Sequence, residues 1–334
     1  MARSMNNSIF KCYQNLNAPL MIAIDFTNKC NYRCRHCYNN SGKGIENELN
    51  DEELEDVVRQ AVDLRPISMC FCGGEPTLRK NYLDLIKIGV SKGSEVNMVS
   101  NGSNFNLDIL KEIKASGLGT LQISLDGANS MQHDTLRGVP GAFEKAIESI
   151  KNAKNANLRV MTALTPNKMN INSIDQYVKL CFDLGVDEVR IMPLIPMGRG
   201  SEMDFLLLNA NDYYLLQLNI LKAKEYYEPL GMKIEWGDPL DHYMRFVKNG
   251  KDNIPTMQME VKANGNLTIS TYIPIVVGNV RLHPLREYWD KGYNSIWANS
   301  KVVNYVENIK NIYDINNLDP KPYSGEYYNI PIIA

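Results

Sequence analysis

The chain has 334 residues, 44% of them hydrophobic and 22% charged, with a formal net charge of −2. That balance describes a chain with a buried core rather than a disordered segment or a basic nucleic-acid binder, and no apolar run approaches the ~20 residues that cross a bilayer. Seven cysteines behind an N-terminus without a secretory apolar core favour free or metal-binding thiols in a reducing cytoplasm over a disulfide framework.

Apolar runs and amphipathic stretches alternate along the first two thirds. The runs at 20–27, 67–72, 95–100, 120–126, 158–165 and 188–193 read as strands. Helical patterns follow them at 51–64, 81–93, 107–117, 141–154, 173–185 and 211–227, and Gly117 fits a helix stop. Six βα units imply parallel strands with right-handed crossovers, and the strands read as apolar throughout, as a helix-covered sheet requires. An open doubly wound sheet and a (βα)6 barrel both satisfy this pattern. After about residue 230 the pattern changes. "QMEVKANGNLTIST" reads as a hairpin turning at Asn264-Gly265, "PIVVGNV" follows, and one helix is expected over "PLREYWDKGYNSIWANSKVVNYVE". The expected organisation is an N-terminal arm (1–19), an α/β body (20–230), and a linker with a small α/β appendage (231–334).

The loop after the first strand reads "TNKCNYRCRHCY" and places Cys30, Cys34 and Cys37 within eight residues. In parallel α/β folds the loops beyond strand C-termini build the active site. Three thiolates hold three irons of a [4Fe–4S] cluster and leave the fourth iron open, whereas a cluster that only carries electrons normally takes four. A zinc site closed by a distant His or Cys is the alternative reading of the same three residues.

"CNYRCRHCY" resembles the CxxxCxxC signature of the radical S-adenosylmethionine (SAM) superfamily. The resemblance implies that the open iron chelates SAM, that an electron from the cluster cleaves it to a 5′-deoxyadenosyl radical, and that His36 lies against the adenine. Three further strand ends agree with it. "CFCGGEPTL" is similar to the family's GGEP motif, which implies that Gly73, Gly74, Glu75 and Pro76 hold the SAM ammonium group. "MVSNGS" is similar to the ribose-side loop, with Ser100 and Asn101 as its polar groups. "ISLDGANSMQHDTLRG" is similar to an SxDG…R element in which Ser124 and Arg137 bind the SAM carboxylate, Arg137 through its planar fork. Asp126 reads as a brace for that loop and His133 as structural. In "VRIMPLIPMGRG" the resemblance passes the backbone at Ile191 and Met192 by the adenine. The resemblance covers about residues 20–200 and selects a (βα)6 partial TIM barrel.

"ANGNLTISTYIPIVVGNVRLHPLREYW" is similar to SPASM and twitch appendages, with Gly265, Gly278, Asn279, Leu285 and Trp289 matching their frame. Ser270 stands where the first auxiliary-cluster cysteine would be, and no cysteine follows Cys181. One [4Fe–4S] cluster and SAM are therefore the implied cofactors, with the appendage cluster-free. Of the remaining thiols, Cys12 is in the N-terminal arm and Cys181 reads as a core residue. Cys70 and Cys72 share a strand face. Cys72 is the candidate catalytic residue, as a hydrogen donor to a substrate radical, against a plain packing role in the barrel interior. Glu235, Asp238, Asp241 and His242 lie on the linker and are candidate substrate contacts.

The implied activity is hydrogen abstraction from a ribosomally made peptide, leading to a crosslink or an epimerisation. Maturation of a cofactor or tetrapyrrole is the alternative, and a non-catalytic zinc or Fe–S protein is a third. The expected partners are a peptide or small-molecule substrate and an electron donor such as flavodoxin or ferredoxin. With 19 residues ahead of the first strand, a peptide substrate is expected either to need a separate leader-binding protein or to dock on the barrel and appendage directly; nucleic acid and membrane are not expected partners.

Overall fold

A computed structural model of the chain describes residues 16–238, 255–321 and 326–333. Cys12, Asp241 and His242 lie outside them. In chain order the regular elements are β1 (Met21–Thr27), α1 (Asp51–Asp63), β2 (Ser68–Gly73), α2 (Tyr82–Val90), β3 (Glu95–Ser100), α3 (Leu107–Ala115), β4 (Thr120–Ser124), α4 (Ser130–Arg137), α5 (Ala142–Asn155), β5 (Arg159–Leu164), α6 (Ile174–Asp183), β6 (Glu188–Ile191), α7 (Ala210–Tyr227) and β7 (Lys233–Trp236). The appendage adds β8 (Gln258–Val261), β9 (Asn266–Thr268), β10 (Ile275–Asn279), α8 (Leu285–Asp290), α9 (Ser300–Val306) and β11 (Tyr328–Asn329). None of the described helices is long and apolar enough to cross a membrane.

Asparagine starts many of these helices. Asn50 and Asn209 close capping boxes with Glu53 and Asp212, and the side chains of Asn106 and Asn129 accept from the N3 amides of α3 and α4. Each cap satisfies a backbone donor that the first helical turn leaves without a partner.

The strands form one sheet in the order β11-β10-β9-β8-β1-β2-β3-β4-β5-β6-β7. From β1 to β7 every pairing is parallel. The expected (βα)6 partial barrel is present, and β7, which the sequence reading did not separate from the linker, continues the parallel run past residue 230. On the other side β8 pairs in parallel with β1, Ala23 opposite Glu260 and Ile24 opposite Val261, so the appendage extends the barrel sheet. The antiparallel β8–β9 hairpin turns at the expected Asn264-Gly265, with Gly265 at φ +83°.

Three expectations are corrected. The single C-terminal helix is three pieces, α8, a 3-10 stretch over Tyr293–Ala298, and α9. Gly292 leaves the helix at φ +106° and extended Asn299 caps the next one, so the chain turns twice where the amphipathic pattern runs on. The loop after β4 carries its own helix, α4, over residues read as irregular. The strands are not apolar throughout. Ile22, Ile24, Phe26, Met69, Phe71, Val96 and Met98 are fully buried under the helices. The alternate positions Ala23, Cys70, Asn97, Gln122, Ala163 and Arg190 are half-buried, on the opposite face. That face lines the inside of the barrel, and its polar residues are what a lumen requires.

Candidate active site

The cysteine loop is seated on its neighbours mainly through main-chain atoms. Gly74 and Glu75 donate their amides to Thr27 O and Lys29 O at 2.7 and 2.9 Å, and Cys30 N donates to Gly42 O at 2.8 Å. A β-carbon on Gly74 would stand 2.1 Å from Lys29 O, and one on Gly73 (φ +116°) 2.5 Å from Thr27 O. The two glycines thus let the β2 loop close onto the cysteine loop, a role the sequence reading had given to a ligand alone. Pro76 is buried and opens the 3-10 turn Pro76–Leu78, which Glu75 caps.

Glu75 is 1% exposed. Its carboxylate accepts from Ser100 Oγ at 2.9 Å, Asn101 N at 2.9 Å and Thr77 Oγ1 at 2.7 Å. Burial pushes its pKa up, against these hydrogen bonds. Asn101 Nδ2 reaches Asn31 Oδ1 at 2.8 Å and Cys30 Sγ at 3.8 Å. Ser100 and Asn101 therefore tie Glu75 and the cysteine loop together.

On the other flank, buried Asp126 faces two cationic or titratable partners, with Arg137 Nη2 at 2.6 Å and His36 Nε2 at 3.2 Å. It also accepts from Thr165 N at 2.9 Å. Burial works against its charge, yet Arg137 and His36 hold the carboxyl far below the usual range. Arg137 Nη1 donates to Cys34 Sγ at 3.6 Å, while its Nε is buried with no hydrogen-bond partner among the described residues. His36 Nδ1 lies 3.3 Å from Leu136 O. His133 is fully buried, with Nδ1 accepting from Asp126 N at 2.9 Å, and burial lowers its pKa to about 4.

Cys34 is buried, Cys30 and Cys37 are half-buried, and none is in a disulfide. Burial, then the neighbouring Cys34, Glu75 and Cys37, pushes the Cys30 thiol up to about 11, against the Tyr32 N–H that Sγ accepts. Three sulfurs that repel one another as thiolates, with N–H groups of Arg137, Asn101 and Tyr32 directed at two of them, are a donor set suited to an iron–sulfur cluster. The partnerless Nε of Arg137 is a buried donor that a ligand carboxylate would satisfy. The residues fit both groups.

Ser124 ends β4. Ile191 and Met192 part company: Ile191 is fully buried in the core and offers only its backbone, whereas Met192 is half-buried, its sulfur 3.1 Å from Tyr272 Oη. Cys72 donates to Asp25 Oδ1 at 3.2 Å, and its contact with Cys70, burial and the Asp25 carboxylate keep the thiol protonated. Glu235 lies 3.7 Å from Arg190 across β6–β7.

Several residues of this region went unread in the sequence. Arg199 donates to Cys34 O and Ser41 O, both at 2.8 Å, and to Asn40 Oδ1 at 3.1 Å. Glu48 accepts from Thr27 Oγ1 at 2.7 Å and Asn28 N at 2.9 Å. Lys262 stands 3.5 Å from Asp25 and 3.8 Å from Glu260. The signal for Asp25, Glu260 and Lys262 was a charge inside an apolar strand run. Arg199 stood between two glycines just beyond a strand end, where nothing distinguishes a structural arginine from an exposed one.

The sequence pattern of the radical SAM superfamily matches residues 24–181. Residues 24–181 form a radical SAM domain. As a radical SAM enzyme it uses a [4Fe–4S] cluster and SAM as cofactors. The chain is similar to the AdoMet-dependent heme synthase of Methanosarcina barkeri, 27% identical over 82% of this chain and 83% of that one. It is similar to the sporulation killing factor maturation protein SkfB of Bacillus subtilis, 29% identical over 67% of this chain but 52% of that one. In fold it is similar to Streptococcus suis SuiB crystallised with S-adenosylmethionine, with a TM-score of 0.70 and 17% identity over 91% of this chain and 77% of that one. This chain thus spans most of the heme synthase but about half of SkfB. The appendage buries Leu285, Tyr288 and Trp289, and its sequence carries no cysteine.

Proposed function

We propose that this enzyme cleaves SAM reductively and abstracts a hydrogen atom from a ribosomally made peptide, in the reducing cytoplasm, to form a crosslink or an epimer. The observation that carries the reading is the convergence of Cys30, Cys34, Arg137, Asp126, Glu75 and Asn101 from four strand ends on one loop. Cys30, Cys34 and Cys37 would hold the cluster. Arg137 Nε would meet the SAM carboxylate, Glu75 and the Gly73–Gly74 turn its ammonium group, and His36, Ser100, Asn101, Ser124 and the backbone at Ile191 and Met192 the rest of the molecule. When bound, cluster and SAM supply an electron and a hydrogen-abstracting carbon centre; the protein's share is to bind, orient and exclude water. Cys72, held protonated beside Asp25, would supply a hydrogen atom to the substrate radical. An external electron donor, flavodoxin or ferredoxin, and a leader-binding protein complete the reading.

SkfB, named as a maturation protein of a killing factor, and SuiB, crystallised also with the precursor peptide SuiA, support a peptide. The heme synthase, matched along most of its length, favours a tetrapyrrole or other cofactor precursor as the second reading.

Anaerobic reconstitution with iron and sulfide, then SAM and dithionite, tests the reading. About four irons per chain and 5′-deoxyadenosine formation are expected from the parent, and neither from Cys30→Ala, Cys34→Ala or Cys37→Ala. Zinc in place of iron, or a cluster that never cleaves SAM, would return the protein to the non-catalytic reading.

A further inference from the structure

The lumen wall carries polar groups that the cofactor site leaves unused. On β6 the alternate positions Glu188, Arg190 and, just past the strand, Met192 share the lumen face. Buried Glu188 is tied to Arg159 at 2.8 Å and Lys233 at 3.3 Å. Met192 meets Tyr272 Oη at 3.1 Å. Arg190, between them, is not held in this way. Its Nε is buried with no hydrogen-bond partner among the described residues. The Glu235 carboxylate is 3.7 Å from that Nε, an ion pair but too long for a hydrogen bond. Water does not reach the Nε–H, and a buried donor without an acceptor is costly to keep. The rest of the side chain is open, 42% exposed, so a ligand can reach the guanidinium.

The register shows where this group stands. Arg190 lies opposite Ala163 on β5 and Glu235 on β7, and its charge is felt at Cys70 on β2 and at Tyr272 of the appendage. The guanidinium is therefore on the inside of the barrel, while Ile191 beside it is fully buried on the outer, helix-covered face. Asn97, opposite Cys70 on β3, also keeps a buried Oδ1 with no partner among the described residues. A wall made only for packing would serve as well with apolar residues at both positions.

We infer that Arg190 recognises a carboxylate of the substrate, either an Asp or Glu side chain or the C-terminus of a peptide. The inference rests on the peptide reading above and names the group that enters the lumen. The planar fork offers the open Nε–H and a neighbouring Nη–H in parallel, which matches two carboxylate oxygens. Two such hydrogen bonds displace the 3.7 Å contact with Glu235, which competes for the same edge. Asn97 Oδ1 is an acceptor for an N–H of the same substrate.

The test uses the cluster-loaded enzyme saturated with SAM, so that the site at Arg137 is filled, and no reductant. Calorimetry measures the binding of Ac-Gly-Glu-Gly-NH2, Ac-Gly-Asp-Gly-NH2 and Ac-Gly-Gly-Gly-OH. Each is compared with its uncharged counterpart, carrying Gln, Asn or a C-terminal amide. The wild type is expected to bind at least one acid about tenfold to a hundredfold more tightly than its amide, the range for a hydrogen bond to a charged group. A preference confined to the free C-terminus places the carboxylate at the chain end, and one confined to Glu or Asp places it on a side chain. Arg190→Gln is expected to reduce the preference to less than about twofold. Glu235→Gln removes the competing carboxylate and is expected to raise affinity for the acid about twofold to fivefold, a gain that a purely structural Arg190–Glu235 pair would not give. No preference in the wild type, a preference that survives Arg190→Gln, or no gain in Glu235→Gln overturns the inference. Reductive SAM cleavage by the wild type is measured separately, so failure of the enzymatic reading is distinguishable from failure of this one.

Discussion

Asp126 and His133 share the loop after β4 but answer to pH in different ranges. Asp126, charged and held by Arg137 and His36, is depressed well below an ordinary carboxyl, so its contribution to stability is lost only in strong acid. His133 is neutral in the fold, depressed by burial from 6.5 to about 4. Its contribution is complete above the unfolded value of 6.5, shrinks as pH falls and is fully lost below about 4. By pH 5 the loss is about 2 kcal/mol. His133→Gln keeps an acceptor for Asp126 N without the titration. Urea unfolding of the apo-protein at pH 7.5 and 5 is expected to show the wild type losing about 2 kcal/mol more than the variant. Equal losses would mean that His133 is solvated.

Among the elements, the β2 loop is the one whose geometry decides whether the cysteine loop can form. Gly74→Ala would drive a methyl group into Lys29 O, which is backbone and cannot move aside cheaply. A loss of about 1–3 kcal/mol in the apo-protein is expected, with iron content after reconstitution falling well below that of the parent. Gly93→Ala is the control, since Gly93 has φ +91° but nothing within 4 Å. It should cost about 1 kcal/mol for the left-handed backbone and leave iron content unchanged. If both substitutions lowered iron loading equally, the close approach at Gly74 would not be what seats the loop.

At the scale of the whole molecule, barrel and appendage are joined by one sheet, by the Arg281–Glu53 pair at 2.6 Å and by the packing of α8 on α1. Trp289, 3% exposed, donates its indole N–H to Leu16 O at 3.0 Å. Trp289→Ala is expected to cost about 3–5 kcal/mol in chemical denaturation. Cysteine-loop iron binding should survive in the fraction that folds. A cost below 1 kcal/mol would mean that the appendage is dispensable to the stability of the barrel.

The motifs that define the chemistry were legible because they are local: CxxxCxxC, GGEP and SxDG…R each lie within one loop, and the βα alternation announces the loops' common end of the sheet. The partial barrel, the hairpin at Asn264-Gly265 and the cysteine-free appendage were legible for the same reason. What the linear pattern could not carry is pairing across the sheet. Only the parallel register of β8 on β1 brings Lys262 to Asp25, two residues some 237 positions apart. Only the close approach of two loops shows that the glycines of GGEP serve the cysteine loop's backbone. And only the closing of the sheet decides which of each strand's two alternating faces is core and which lines the lumen, so that Ile191 is fully buried while Arg190, its neighbour in sequence, is half-buried on the opposite face.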